Sequence, residues 1–119
     1  MEEKSLGLVG EELAAAHVRE AGYQILEMNY RCPLGEIDIV ALQEDTLVFI
    51  EVKSRTSLNF GHPQEGLTPA KCRKLTQLAE YYLKEKSQQE RKCRFDVVAI
   101  ILHRKSQKVK SIELITDAF

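Results

Sequence analysis

The sequence predicts an α/β fold: one mixed five-stranded sheet with helices on its faces, in the order α-β-β-β-α-β-β. Three observations carry this. Residues 36–42 and 47–53 alternate like strands around the polar cluster Gln43-Glu44-Asp45-Thr46, so they read as a hairpin. Segments of helical periodicity stand before and after that hairpin. The second of them separates the third strand from the fourth, which makes that pair a candidate for a parallel crossover. At 119 residues, a single domain spanning 1–119 is expected, with a core large enough to fold alone.

The first helix is expected over residues 6–21. Leu6, Val9, Leu13 and Ala16 recur at helical spacing, Ser5 can cap the start, and Gly22 suits the position past the end. Glu11 projects from a side that also holds Gly7, Ala14, Ala15 and Val18, small enough to lie close to a sheet. Read alone, Glu11 and Glu12 are acids favoured by the helix dipole. Residues 23–32 form the first strand, and Pro33-Leu34-Gly35 turns into the hairpin. Asn29 and Arg31 receive no role.

Within the hairpin, Ile37, Ile39, Ala41, Val48, Ile50 and Val52 make a fully apolar face. A two- or four-residue loop sets Asp38 opposite Glu51, with Lys53 two residues further on the same face. Opposed residues hold their Cβ atoms within about 4.5–5.5 Å, and like charges so placed are destabilising. A divalent cation removes the conflict, and Mg²⁺ takes oxygen ligands of this kind. Glu36 shares the face and is expected opposite Lys53 as an ion-pair partner.

A loop rich in turn residues follows Lys53, and its His62 reads as solvent-facing. Thr68 caps the second helix with Pro69 at its first position. Leu75, Leu78, Ala79 and Tyr82 form its buried stripe, and residues 84–92 a charged linker. Residues 95–102 are an almost continuous apolar run, as in a strand covered on both faces. Asp96 inside it needs a structural hydrogen-bond partner. Residues 109–115 make a final edge strand.

Composition narrows the class. With 44% apolar and 29% charged residues the chain reads as soluble and globular. No apolar run approaches the ~20 residues of a membrane span, so no membrane partner is expected. The acidic start MEEKSLGLVGEE does not read as a signal peptide. Cys32, Cys72 and Cys93 lie in no CxxC pair and read as free thiols in a reducing cytoplasm. A net charge of −1 argues against strong nonspecific nucleic-acid binding. The bases are nonetheless clustered. Lys53, Arg55, Lys71, Arg73 and Lys74 adjoin the acidic pair, whereas Arg104, Lys105, Lys108 and Lys110 read as a solvated face.

Asp38 followed by Glu51-Val52-Lys53 resembles the D…(D/E)xK signature of the restriction-endonuclease-like nuclease superfamily. With Gly10-Glu11, Gly35-Glu36-Ile37-Asp38 and Arg94-Phe95-Asp96-Val97-Val98, nearly the whole chain resembles the small YraN-like family, related to archaeal Holliday-junction resolvases. Ile37 stands where the superfamily's name would put a proline. The resemblance implies a restriction-endonuclease-like three-layer fold and Mg²⁺- or Mn²⁺-dependent phosphodiester hydrolysis. In that scheme Asp38, Glu51 and the Val52 carbonyl bind the metal, Glu11 is an auxiliary ligand, and Lys53 orients water or stabilises the transition state. Arg55, Lys71, Lys74 and Gln77 (with Tyr81, resembling a QxxxY element) become nucleic-acid contacts. The implied partner is nucleic acid, DNA and branched DNA in particular, and relatives that act as dimers imply a homodimer. A binding module that keeps the fold without catalysis is the rival, favoured by the acidic balance.

Overall fold

The computed structural model describes residues 6–56, 68–106 and 108–118; Ser5 and His62 lie outside them. The elements are α1 (Leu6–Glu20), β1 (Gln24–Cys32), β2 (Gly35–Gln43), β3 (Thr46–Arg55), α2 (Pro69–Glu85), β4 (Cys93–Leu102) and β5 (Val109–Ile115). The five strands form one sheet in the order β1-β2-β3-β4-β5. Only β3 and β4 run parallel, joined by the α2 crossover. The α-β-β-β-α-β-β order and the mixed sheet are as the sequence implies.

Each helix covers one face. Ala14, Ala15 and Val18 of α1 pack on Ile39, Ala41, Val48, Ile50, Val98, Ile100 and Leu102. Ala16, expected in the buried stripe, is exposed. The small residues on the Glu11 side decide the matter, because they let the helix axis come closer to the sheet. The approach is tightest at Gly10, where a Cβ would overlap the Ser54 hydroxyl.

On the other face, Leu75, Leu78, Ala79 and Tyr82 of α2 cover Tyr30, Ile37, Val40, Leu47 and Phe49. Tyr82 meets Tyr30 and Phe49 edge-on, with centroids 4.9 and 5.6 Å apart. Thr68 caps α2, its Oγ1 accepting the Lys71 N–H at 3.1 Å, and Pro69 opens the helix as expected. The helix continues through Glu85, two residues into the expected linker.

The hairpin keeps its expected register from Gln43↔Thr46 to Ile39↔Ile50 and stops there. The expected Asp38–Glu51 ladder pair therefore does not form. Ile37, expected beside Ile39, joins the α2-side core instead. Opposite Asp38 on β1, Asn29 adopts φ 52°. The β1–β2 register is kept from Met28↔Ile39 to Tyr30↔Ile37, with Asn29 and Asp38 unpaired between them.

The parallel pairing sets the polarity of the sheet. Lys53 lies level with Ala99 and Arg55 with Ile101. The start of β2 and the ends of β3 and β4 thus share one end of the sheet. On β4, level with Ile50, Asp96 is fully buried and finds the structural partners the sequence demanded. Tyr23 Oη donates to its Oδ2 at 2.6 Å, and Arg94 Nε and the Asp117 N–H each reach Oδ1 at 3.0 Å. Among the described residues no helix is long and apolar enough to cross a membrane. Cys32, Cys72 and Cys93 are free thiols.

Candidate functional site

Past Ile39 and Ile50 the strands β2 and β3 part, and Asp38 stands in the fork. Its Oδ2 accepts the Val52 N–H at 2.8 Å, a side chain replacing the lost ladder bond. Val52 thus enters the site through its N–H.

Three carboxylates converge here. Oxygens of Glu11, Glu36 and Asp38 all lie within 4.8 Å of one another. Glu11 reaches the fork because Gly10 seats α1 against β3 at Ser54. Asn29 then fixes it. A carboxylate only accepts hydrogen bonds, so the amide nitrogen faces it, 3.0 Å from Glu11 Oε1 and 3.2 Å from Oε2. Glu36 does not face Lys53 as expected; it pairs across the β1–β2 ladder with Arg31, Nε to Oε2 at 3.2 Å.

Electrostatics follow from this crowding. Burial, followed by the charge of Glu51, pushes the Asp38 carboxyl up to about 7. Glu11 and Glu36 add to the rise, and the Val52 N–H opposes it. Among the described residues, no cation answers Asp38 as Arg94 answers Asp96. Lys53 instead sits 3.4 Å from Glu51 Oε1, both side chains about four-fifths buried.

Lys53 has a cationic neighbour as well. Contact with the Lys53 ammonium holds the Lys71 ammonium below its ordinary value, with burial and Arg55 adding and Glu51 opposing. Two ammonium groups so placed attract an anion. They line a cleft of about 240 Å³ with Glu36, Glu51 and Lys74, over Leu75 and Leu78 of α2. Gly35, at φ 143°, admits the Lys74 stem, whose Cε lies 3.6 Å from where a Cβ would be.

Of the residues singled out in the sequence, Glu11, Asp38, Glu51, Val52, Lys53, Arg55, Lys71 and Lys74 share this end of the molecule. Gln77 does not. It lines the outer flank of α2 with Cys72, Arg73, Thr76 and Glu80, because the helix turns it away from the Lys71–Lys74–Leu78 side. Glu36 as an acid of the cluster and Asn29 as the holder of Glu11 were not legible. Asparagine tolerates the left-handed region, but nothing local in YQILEMNYRC marks the position as left-handed.

Fold and site together define an α/β protein whose mixed sheet opens at one end into a fork of carboxylates flanked by lysines. The chain belongs to the uncharacterised protein family UPF0102, whose pattern matches residues 10–100, a span holding every acid and lysine of the fork. It is 50% identical over 119 residues to a UPF0102 protein of Moorella thermoacetica, covering 100% of this chain and 98% of the relative. A UPF0102 protein of Syntrophus aciditrophicus is 49% identical over 113 residues, covering 95% of this chain and 87% of its own. One from Caldicellulosiruptor saccharolyticus is 44% identical over 119 residues, with both chains covered in full.

Proposed function

We propose that this protein is a divalent-cation-dependent endonuclease of the restriction-endonuclease-like superfamily that hydrolyses phosphodiester bonds in DNA. The observation that carries the reading is the convergence of Glu11, Glu36 and Asp38 beside the Glu51–Lys53 pair, with no cation among the described residues directed at Asp38. Three carboxylates whose oxygens lie within 4.8 Å of one another suit a hard, oxygen-seeking dication such as Mg²⁺ or Mn²⁺. Asp38, Glu11 and Glu36 would hold it, with Glu51 and the Val52 carbonyl completing the set from β3. When bound, such an ion supplies a polarised phosphate and a water of lowered pKa.

The protein's own groups do the rest. The Val52 N–H fixes the Asp38 rotamer, and Asn29 fixes Glu11. Lys53 brings a positive charge to the non-bridging oxygens, where negative charge grows as water adds to phosphorus and the ester oxygen leaves. Its contact with Glu51 holds the ammonium at the cleft. Lys71, Lys74 and Arg55 receive the phosphates on either side. Branched DNA is the preferred substrate, cut by a homodimer in a reducing cytoplasm that keeps the three thiols free.

The test is a nicking assay on linear and four-way-junction DNA with Mg²⁺, Mn²⁺ or EDTA. Cleavage that requires the cation and disappears in Asp38→Asn and Glu51→Gln is expected. Wild-type cutting by either variant would place the chemistry elsewhere. The chain's net charge of −1 favours one alternative, a nuclease-fold binding module without catalysis. Binding without nicking under every cation would select it.

A further inference from the structure

We propose that the turn joining β4 to β5 is a second nucleic-acid contact, gripping the phosphate backbone across a groove from the acid fork. The proposal rests on the nucleic-acid reading above. Its sequence, HRKSQKVK over residues 103–110, carries Arg104, Lys105, Lys108 and Lys110 and no acid. Read as sequence alone, it is a solvated face; its position in the fold makes it something else.

The strand register places it. Arg55, the last residue of β3, lies level with Ile101, and Leu102 pairs with Val109. The basic turn therefore projects beyond the same end of the sheet that holds Asp38, Glu51 and Lys53. From the level of Lys53 and Ala99 to Leu102 is three residues, or about 10 Å along the strand. From β3 to β5 is two strand spacings, again about 10 Å. The turn thus begins roughly 14 Å from Lys53, close to the ~12 Å width of a B-form major groove. A duplex with one strand's phosphate at Lys53 presents its opposite strand to Arg104–Lys110.

The turn is also built to hold its charges in place. The His103 N–H donates to the Lys108 carbonyl at 2.8 Å, and Ser106 Oγ accepts the Lys108 N–H at 3.2 Å. Arg104, Lys105, Lys108 and Lys110 are all exposed. The nearest acid along β5 is Glu113, back at the level of Ala99. Among the described residues, Glu44 and Asp45 in the β2–β3 turn, and Asp117, lie toward the opposite end of the sheet. A chain of net charge −1 thereby turns a basic surface of eight side chains (Lys53, Arg55, Lys71, Lys74, Arg104, Lys105, Lys108 and Lys110) toward one polyanion. The four carboxylates beside that surface (Glu11, Glu36, Asp38 and Glu51) belong to the proposed cation site.

The test is fluorescence anisotropy of a labelled DNA duplex in EDTA, across a series of KCl concentrations. It compares the wild type with K108Q/K110Q, R104Q/K105Q, and a control, K84Q/K92Q, that removes the same charge at the far end. Each turn variant should weaken binding at low salt and flatten the slope of log K against log[salt] by about 1–2, at about 0.9 per lost phosphate contact. The control should keep the wild-type slope. Circular dichroism melts check that each variant folds, and each turn pair is an independent trial. A binding wild type with unchanged slopes in both turn variants overturns the proposal and leaves the nuclease reading standing. An equal loss in K84Q/K92Q also overturns it, reducing the effect to net charge. A wild type that binds no DNA sinks both.

Discussion

Asp38 on β2 and Asp96 on β4, on either side of β3 in one sheet, are treated in opposite ways. Asp96 is wholly buried and has a donor for every demand: the Tyr23 hydroxyl, the Arg94 guanidinium and the Asp117 N–H. Its partners register the bond. The hydrogen bond to Asp96 raises the Arg94 pKa, and burial with Asp96 beside it pushes the Tyr23 hydroxyl up to about 12. Asp38 is half-buried, with one backbone donor and three acids around it. The same chain that supplies an arginine to one aspartate supplies only further negative charge to the other. Charge satisfied from within makes the Asp96 site a structural clamp. Charge left over makes the Asp38 site dependent on something from solution.

The comparison can be broken most directly by mutating both aspartates. Asp96→Ala leaves the Tyr23 hydroxyl, the Arg94 guanidinium and the Asp117 N–H without their shared buried acceptor and should cost about 3 kcal/mol of stability in urea unfolding. Asp38→Asn should cost none, because it relieves repulsion. Equal losses would make the two residues equivalent and end the distinction.

Next in size is Lys53→Ala, expected to slow cleavage ~10²–10³-fold, in line with the removal of one transition-state donor. Single-turnover kinetics at saturating metal should show the loss in rate, with the metal midpoint little moved. A matching shift in that midpoint would reduce Lys53 to a partner of Glu51.

Stability against pH sharpens the contrast further. The folded Asp38 carboxyl, at about 7, is raised above its ordinary value of 3.8, so folding favours its protonated form. Below that lower value the proton is held in both states and the site costs nothing. Between the two values the unfolded chain releases its proton first, so metal-free stability falls as pH rises, and above about 7 the whole penalty is present. Thermal melts in EDTA from acid to neutral pH should show this decline in the wild type and lose it in Asp38→Asn. Mn²⁺ should restore the wild type near neutral pH, by about 2.7 kcal/mol at a hundredfold excess over Kd, and do nothing for the variant. A wild-type melt indifferent to Mn²⁺ at every pH would contradict the cation site.

The smallest expected effect is that of Asn29→Ala. Without the amide, Glu11 loses its fixed orientation, and cation affinity measured by calorimetry should fall about tenfold, as for other outer-shell partners. Unchanged affinity would leave Asn29 as a feature of the strand alone.

Much of this was legible in the sequence because it follows from periodicity and local chemistry. The α2 stripe of Leu75, Leu78, Ala79 and Tyr82, its Thr68-Pro69 start, and the hairpin register through Ile39 and Ile50 are of that kind. So was the gathering of Asp38, Glu51 and Lys53 at one end, which strand alternation alone implies. What failed did so where that alternation is interrupted. Opposite the left-handed Asn29, β2 breaks its alternation: Ile37 joins the α2-side core and Glu36 meets Asp38 and Glu11, and strand alternation carries no signal for it. Gln77 failed because a motif spacing on a helix does not say which flank meets the sheet.

Tyr23, immediately beyond α1, is clasped by Asp96 and Arg94, whereas Gly10 and Glu11 are seated at the fork. The 15 residues of α1 span about 22 Å between these two anchorages. A rod fastened at both ends behaves as a beam, not as a lever: it cannot swing, and the carboxylate near one end inherits its rigidity from the other. Unfastening Tyr23 would free the rod to pivot about Ser54, and a change made a full helix length away would be felt as a wandering Glu11.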